Sequence, residues 1–382
     1  MIGQMKVDVA VVGNGLIGLC SAVELRRAGR TVALLGGPTD GRASTAAAGM
    51  LTPACEYDPW MPSEFLDLLR DGLARYPEFL GEFGLTAAEV GYRSTDFTLV
   101  DLAERTESLR PRIEWMTAAG VDCEWVGPRD LCTLEPALTP RAHHGAIRIH
   151  GEAVVNPRAL LSALERTADR LGVHRVPGDL TGVEDEGEAL RLVTAAGTVG
   201  AERVVVAAGS WSGQVGELFG LSLPVCPVKG QMLRLSGPPG LLNSVVFMPS
   251  GGCGSIVERS PGQYVVGTSE EYLRPEADNT AGVVAAILSR LCTVLPEAAD
   301  WPVEEMWSGF RPMTSDELPI IDRPGDGRVV VATGHHRNGV LLAPITGRLV
   351  TRLIDGEHPG ADLSRYRHGR TLRPHTRFAT KY

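Results

Sequence analysis

No two of the seven cysteines stand in C-x-x-C spacing, and their number is odd in a chain of 382 residues. That pattern argues against a disulfide framework and against a zinc site, and makes reduced thiols in or near the core the expectation. No run of about 18 apolar residues occurs, so no membrane-spanning helix is expected. The first residues run straight into a strand pattern without a secretory leader, which favours a cytoplasmic protein. Basic excess is missing as well. The net charge is −9, which excludes the clustered cationic surface of a nucleic-acid binder. The one locally basic stretch, Arg365 to Lys381, reads as a solvated tail. Internal repeats, low-complexity tracts, a catalytic triad and a carboxylate dyad are also lacking. What remains is 43% hydrophobic and 22% charged, an ordinary globular composition with length for two domains.

The N-terminal end carries the first positive signal. Lys6 to Val12 is a short β-branched run, the pattern of a buried parallel strand. Gly13-Asn14-Gly15-Leu16-Ile17-Gly18 follows at once, then helical periodicity from Leu19 to Ala28, then a second strand from Thr31 to Leu35. This is a βαβ unit with a glycine fingerprint in frame. Gly13 permits the tight turn, Gly15 lets backbone amides approach a pyrophosphate, and Gly18 lets helix and strand pack closely. The helix N-terminus supplies partial positive charge to the phosphates. One part of the pattern is absent. The acid that normally ends the second strand and binds ribose hydroxyls is replaced by Gly36, with Asp40 nearby in a loop.

Two more apolar strands end in small residues, Val204 to Gly213 and Arg328 to Gly334. With the first they are expected to lie side by side, their C-terminal ends lining one cofactor. Gly41 to Pro53, rich in small residues, reads as a loop following the pyrophosphate toward a ring system. Glu64 to Phe83 reads as a helix. Tyr92 to Val100, Ser244 to Met248 and Gln263 to Gly267 have strand character and suggest a second, mixed or antiparallel sheet. Near the C-terminus, Trp307 to Gly347 holds Arg311 and Arg337 among small and apolar residues, each beside a predicted turn. A guanidinium in such surroundings needs an anion or a set of carbonyls.

The segments VAVVGNGLIG, STAAAGML, RVVVAAGSWSG, LPVCPVKGQ, WSGFRPMTSDELPII and TGHHRNGVLLAPITG resemble the glycine oxidase branch of the D-amino acid oxidase-like flavoenzymes. The resemblance spans nearly the whole chain. It implies an α/β fold in which a Rossmann-like FAD-binding domain of glutathione-reductase type (1–91 plus 146–221 plus 306–382) interleaves with a mixed-sheet substrate domain (92–145 plus 222–305). It implies non-covalent FAD rather than NAD, with Gly13, Gly15 and Gly18 at the pyrophosphate and Arg42, Ser44 and Thr45 along the nucleotide. Ala47, Gly49 and Met50 would approach the flavin ring, and Leu180 would contact adenine through its backbone. Ala208, Gly209 and Trp211 complete the cofactor set, with Asn338, Gly339, Val340 and Leu341 at the flavin pyrimidine edge. Arg311 matches the substrate-carboxylate arginine, Arg337 a second arginine of the active site, and Met50 also faces substrate. The implied reaction is hydride transfer from an α-amino acid to flavin N5, with O2 as acceptor and no catalytic base. A homo-oligomer with a small-molecule substrate goes with it. His335 and His336 tempt as a base, but adjacent residues seldom face one site, and a structural role for at least one is expected.

The chain departs from the branch at one position. Glycine oxidases carry a tyrosine ahead of the strand matching Gln263 to Gly267, where it closes a small pocket. Counting back from RSPGQYVVG places Ser255 there, next to Gly251, Gly252, Cys253 and Gly254. A small hydroxyl in a glycine-rich loop widens the pocket mouth. The substrate expected from this is an N-substituted glycine, released as glyoxylate and an amine for a specialised biosynthetic pathway. A plain glycine oxidase of thiamine biosynthesis, a quinone-linked D-amino acid dehydrogenase and a non-catalytic dinucleotide-binding protein remain alternatives.

Overall fold

The β-branched segment ahead of Gly13 forms the strand Ile2–Val12 in the middle of a first sheet. Val32–Leu35 pairs with it in parallel on one side and Gly197–Val206 on the other. His174–Val176 and Val329–Thr333 extend the parallel set outward, and Ile320–Asp322 closes one edge antiparallel. The three strands expected side by side are therefore neighbours. This is a computed structural model, and it describes residues 2–37, 40–103, 108–249, 254–272 and 276–372. Gly251, Gly252, Cys253 and the end of the basic stretch, from 373 on, lie outside the described residues. So does part of the nucleotide-side loop, at 38–39.

The second sheet is mixed, as expected. Its strands include Cys226–Ser236, Gln263–Gly267, Ser255–Ser260, Arg93–Leu102 and His143–Val154. Most neighbours are antiparallel, but Val245–Phe247 runs parallel to Arg93–Leu102. Val303–Met313 pairs along the whole length of Cys226–Ser236. The domain boundaries expected at 145/146 and 305/306 fall inside His143–Val154 and Val303–Met313. Both strands belong to the second sheet throughout.

Two expectations need correction in detail. Val204 to Gly213 is not one strand. The strand is Gly197–Val206, and the chain turns after it, with Ala207 N–H donating to Val12 O and Gly209 at φ +55°. Arg311 stands inside a strand and not at a turn. The helix read at Glu64 to Phe83 is Ser63–Phe83 and that at Leu19 to Ala28 is Leu16–Arg27. No helix among the described residues is long and apolar enough to cross a membrane.

Helices Leu16–Arg27 and Gly339–Asp355 cover one face of the first sheet and bring both N-termini toward the same strand ends. Gly347 makes their close approach possible, because a Cβ there would sit 2.8 Å from the Cys20 backbone. A larger side chain must push the helices apart. Gly347→Leu is expected to lower stability by about 1–3 kcal/mol through overpacking, read as a lower midpoint in urea unfolding of the holoprotein. An unchanged midpoint would refute the tight contact.

Candidate active site

One cavity of about 970 Å³ opens where the strand ends of the first sheet meet the second sheet. Most residues expected at a dinucleotide line it: Gly13, Gly15, Arg42, Ser44, Ala47, Gly49, Met50, Leu180, Ala208, Gly209, Trp211, Gly339 and Val340. Gly18, Thr45, Asn338 and Leu341 do not. Gly18 serves packing, since a Cβ there would lie 1.8 Å from Gly13 O. Thr45 turns its hydroxyl to Arg42 O at 3.0 Å. Asn338 and Leu341 are buried around the start of the last helix.

The phosphate end is built for an anion. Gly13 has φ +116°, and a Cβ there would strike Ala207 O at 2.2 Å. The helix that follows carries no acidic residue in its first turn, so its positive end is unopposed. Arg42 reaches across, donating from Nη1 to Asn14 Oδ1 at 3.1 Å, while its Nε is buried without a partner. A buried orphan donor beside a glycine cradle fits a pyrophosphate. Gly36 has no room for the missing acid, because a Cβ there would lie 2.8 Å from Asn14 Cγ. A carboxylate does line this end of the cavity. It is Asp179, in the turn after His174–Val176, which pairs with Val32–Leu35. A Cβ on Gly37 would be 3.7 Å from its Oδ1. Asp179 therefore offers a hydrogen-bond acceptor at this end of the cavity, one strand over from the usual acid position.

The middle of the cavity is lined by Ala46, Ala47, Ala48 and Gly49. The carbonyls of this loop are gripped from behind by side chains far away in sequence. Thr45 O accepts from Arg158 Nε at 2.9 Å and Ala46 O from Trp307 Nε1 at 3.0 Å. Arg259 Nη2 donates to Ala47 O at 2.8 Å and Ala48 O at 3.3 Å. Arg158 also lies over the Trp307 ring and pairs with Glu305. Burial pulls the Arg259 pKa down to about 10, with the neighbouring Arg158 adding to the effect. A guanidinium held there without its own carboxylate is costly, and the carbonyl dipoles offset part of that cost. Four consecutive carbonyls are thereby fixed, and the loop cannot collapse into the cavity.

The far end is lined by Arg311, Arg337, Ser255, Met232, Phe247 and Met248, with Glu56 and Glu270. Arg311 donates to Ser269 O at 3.2 Å and Thr268 Oγ1 at 2.7 Å. Among the described residues no carboxylate pairs with it. Burial lowers its pKa, and the nearby charge of Arg337 adds to that, while Glu270 opposes it. Gly230 on the adjacent strand makes its place, since a Cβ there would lie 2.5 Å from Arg311 Nη2. Arg337 is in the opposite situation. It pairs with Glu56 at 2.9 Å and with Glu270, and these carboxylates, with Glu317, outweigh desolvation and raise its pKa. Ser255 is buried and lines the cavity, but its hydroxyl is within 3.1 Å of Gly267 O. Neither histidine is poised as a base. His335 is buried against Thr346 Oγ1 at 3.1 Å, and burial lowers its pKa to about 3. His336 has φ +47°, lies 3.5 Å from Glu317, and burial lowers its pKa too.

Sequence reasoning singled out the two arginines but missed Asp179, Arg158, Arg259, Gly230 and the acid partners of Arg337. Trp307 lay in the singled-out segment, where its indole N–H was the available signal. The others carry no local signal.

Residues 8–353 match the family described as FAD dependent oxidoreductase, DAO. The chain is 32% identical over 368 residues to a glycine oxidase of Geobacillus kaustophilus, spanning 94% of this chain and 96% of that protein. A crystal structure of glycine oxidase from the same organism superposes with TM-score 0.90 at 30% identity, covering 97% of this chain and 100% of the other. That of iminodiacetate oxidase from Chelativorans sp. BNC1 superposes with TM-score 0.82 at 25% identity, covering 94% and 98%.

Two measurements test this cavity. Asp179→Ala is expected to weaken FAD binding roughly 10-fold, the size of one lost hydrogen bond pair, in a titration of apoprotein followed by flavin fluorescence. Unchanged affinity would remove Asp179 from the ribose site. Arg259→Met is expected to raise the FAD dissociation constant and broaden the visible flavin spectrum, with partial rescue by Arg259→Lys. A spectrum identical to the parent would mean that the loop holds without its grip.

Proposed function

The chain belongs to the FAD-dependent oxidoreductases of the DAO family, and from that premise we propose that it oxidises the glycine carbon of an N-substituted glycine. The products are glyoxylate, the free amine and hydrogen peroxide. The observation that carries this reading is Arg311, a cavity-lining guanidinium without a carboxylate of its own. The names of the relatives support the substrate class, since glycine and iminodiacetate both present an amine one carbon from a carboxylate.

The residues divide the work. Arg311 takes the substrate carboxylate in two parallel hydrogen bonds, because a guanidinium fork matches a carboxylate and keeps its charge. Gly230 leaves the space that fork occupies, and Thr268 and Ser269 hold it by hydrogen bonds. With its carboxylate fixed, the substrate's Cα is confined to the space beside Ala47, Gly49 and Met50. FAD held in this cavity would supply the electron sink for hydride from Cα, with O2 as the final acceptor and H2O2 as its product. Removal of hydride and the amine proton leaves a C=N bond, and water then releases the amine and glyoxylate, so atoms and charge balance. The amine must enter neutral, with its lone pair available to form the C=N bond. The last helix points Gly339 and Val340 at the cavity with no acid in its first turn. Its positive end stabilises negative charge developing there.

Room for the N-substituent comes from Ser255, a small side chain where the branch carries a phenol, and its hydroxyl is turned to the backbone. A homo-oligomer in the cytoplasm, making an amine for a biosynthetic pathway, accords with this reading. Peroxide formation with glycine, sarcosine and larger N-carboxymethyl amines tests it. A larger secondary amine is expected to give the highest kcat/KM, and glycine outperforming every one of them would sink the reading in favour of a plain glycine oxidase. Arg311→Met is expected to lower kcat/KM by roughly 30-fold or more, the consequence of leaving a buried charge unpaired. KM should carry most of the loss.

A further inference from the structure

We propose that Glu56 and Glu270 determine specificity: by occupying Arg337 they reject an N-substituent that ends in a second carboxylate, and restrict the substrate to monocarboxylates with a neutral or cationic arm. This rests on the N-substituted glycine reading and narrows it.

Two cavity-lining arginines could in principle hold the two ends of a dicarboxylate. The structure gives them unequal roles. Among the described residues Arg311 donates to a carbonyl and a hydroxyl and pairs with no carboxylate. Arg337 donates Nη1 to Glu56 Oε2 at 2.9 Å and Nη2 to Glu270. Both acids line the same cavity. A carboxylate brought to Arg337 must displace one of them or stand against both, and like charges a few ångström apart repel strongly where water is scarce. The exclusion is of the kind that specificity needs, an unfavourable contact with the wrong ligand.

The acids are held firmly enough to act this way. Glu270 follows Thr268 and Ser269, the two residues that receive Arg311. Gln231 N–H donates to Ser269 Oγ at 3.0 Å, and that hydroxyl donates to Glu271 at 2.6 Å. Glu270 is therefore on the same braced segment as the carboxylate grip. Glu56 ends a turn tied by Cys55 N–H to Thr52 Oγ1 at 3.1 Å. Arg337 follows His336, whose left-handed backbone, φ +47°, is unusual for a non-glycine residue and aims the chain into the last helix. An arm that reaches Arg337 thus meets a guanidinium already matched by two carboxylates.

The test compares three N-carboxymethyl amines of similar length on the holoenzyme: N-propylglycine, N-(2-aminoethyl)glycine and iminodiacetate. Iminodiacetate is expected to have a kcat/KM at least ~30-fold below the better of the other two. In Glu56→Gln and Glu270→Gln, each isosteric and checked for bound flavin by its visible spectrum, the ratio for iminodiacetate over N-propylglycine is expected to rise about 10-fold, mainly through KM. Iminodiacetate as the best substrate of the parent enzyme would overturn the proposal, and so would a ratio that neither variant moves. Either result leaves the broader reading standing. Glycine outperforming all three would instead overturn that reading, so the two failures are separable.

Discussion

The Arg311 guanidinium is desolvated without a carboxylate, and burial pulls its pKa below the ordinary arginine value. Taking such a group out of water is tolerable only where its donors find partners. A carbonyl and a hydroxyl supply part of that need, and on the proposed reading an incoming carboxylate supplies the rest. Everything around it keeps this arrangement open. Gly230 cannot bear a side chain without striking the guanidinium, and the nearest acids are drawn off to Arg337. Were Glu56 or Glu270 to pair with Arg311, the site would be satisfied by its own protein and would have nothing to offer a substrate. The second arginine thus protects the first by holding the acids that would neutralise it.

The strand carrying Arg311 joins the site to the rest of the molecule. Phe310 N–H donates to Gly41 O at 2.8 Å, at the head of the nucleotide loop, and Phe310 O accepts from Ser210 Oγ at 2.8 Å. Trp307 holds Ala46 from the same strand, and Met313 bridges to His335. Glu305, further back, anchors Arg158. One strand therefore touches the loop at Gly41, the cavity-lining loop at Ala46 and the turn before the last helix. This explains why it crosses the expected domain boundary. A division at 305/306 would fall inside this strand.

Local features of the chain were legible, and long-range pairings were not. Gly13, Gly15 and Gly18 announce their unit because strand, turn and helix are consecutive, so the constraint is written within a short stretch. The adjacency of the three strands was readable from their shared endings in small residues. Arg311 stood out against apolar neighbours. Arg337 stood out for the same reason, yet its circumstances are opposite, because its partners lie 281 and 67 residues away along the chain. Arg259 is 212 residues from Ala47, and nothing near it in sequence marks it as a brace. Burial of a charge is predictable from its neighbours; the identity of the group that meets it depends on the fold.

The missing ribose acid shows how one local choice forces another at a distance. Asn14, inside the glycine fingerprint, donates from Nδ2 to Gly36 O and Gly37 O at 3.2 Å each, and accepts from Arg42. Its side chain fills the volume that a Cβ at Gly36 would need. With asparagine at position 14 so placed, a side chain at 36 would have to displace the Asn14 amide and its hydrogen bonds. The amide gives something in exchange, since it ties the end of the second strand to the arginine that faces the phosphates. Acceptor chemistry for the ribose must then come from outside the βαβ unit. The turn after His174–Val176 is the nearest backbone able to provide it, because that strand is the parallel neighbour of Val32–Leu35. Asp179 places a carboxylate at this end of the cavity, on the turn after the strand that neighbours Val32–Leu35.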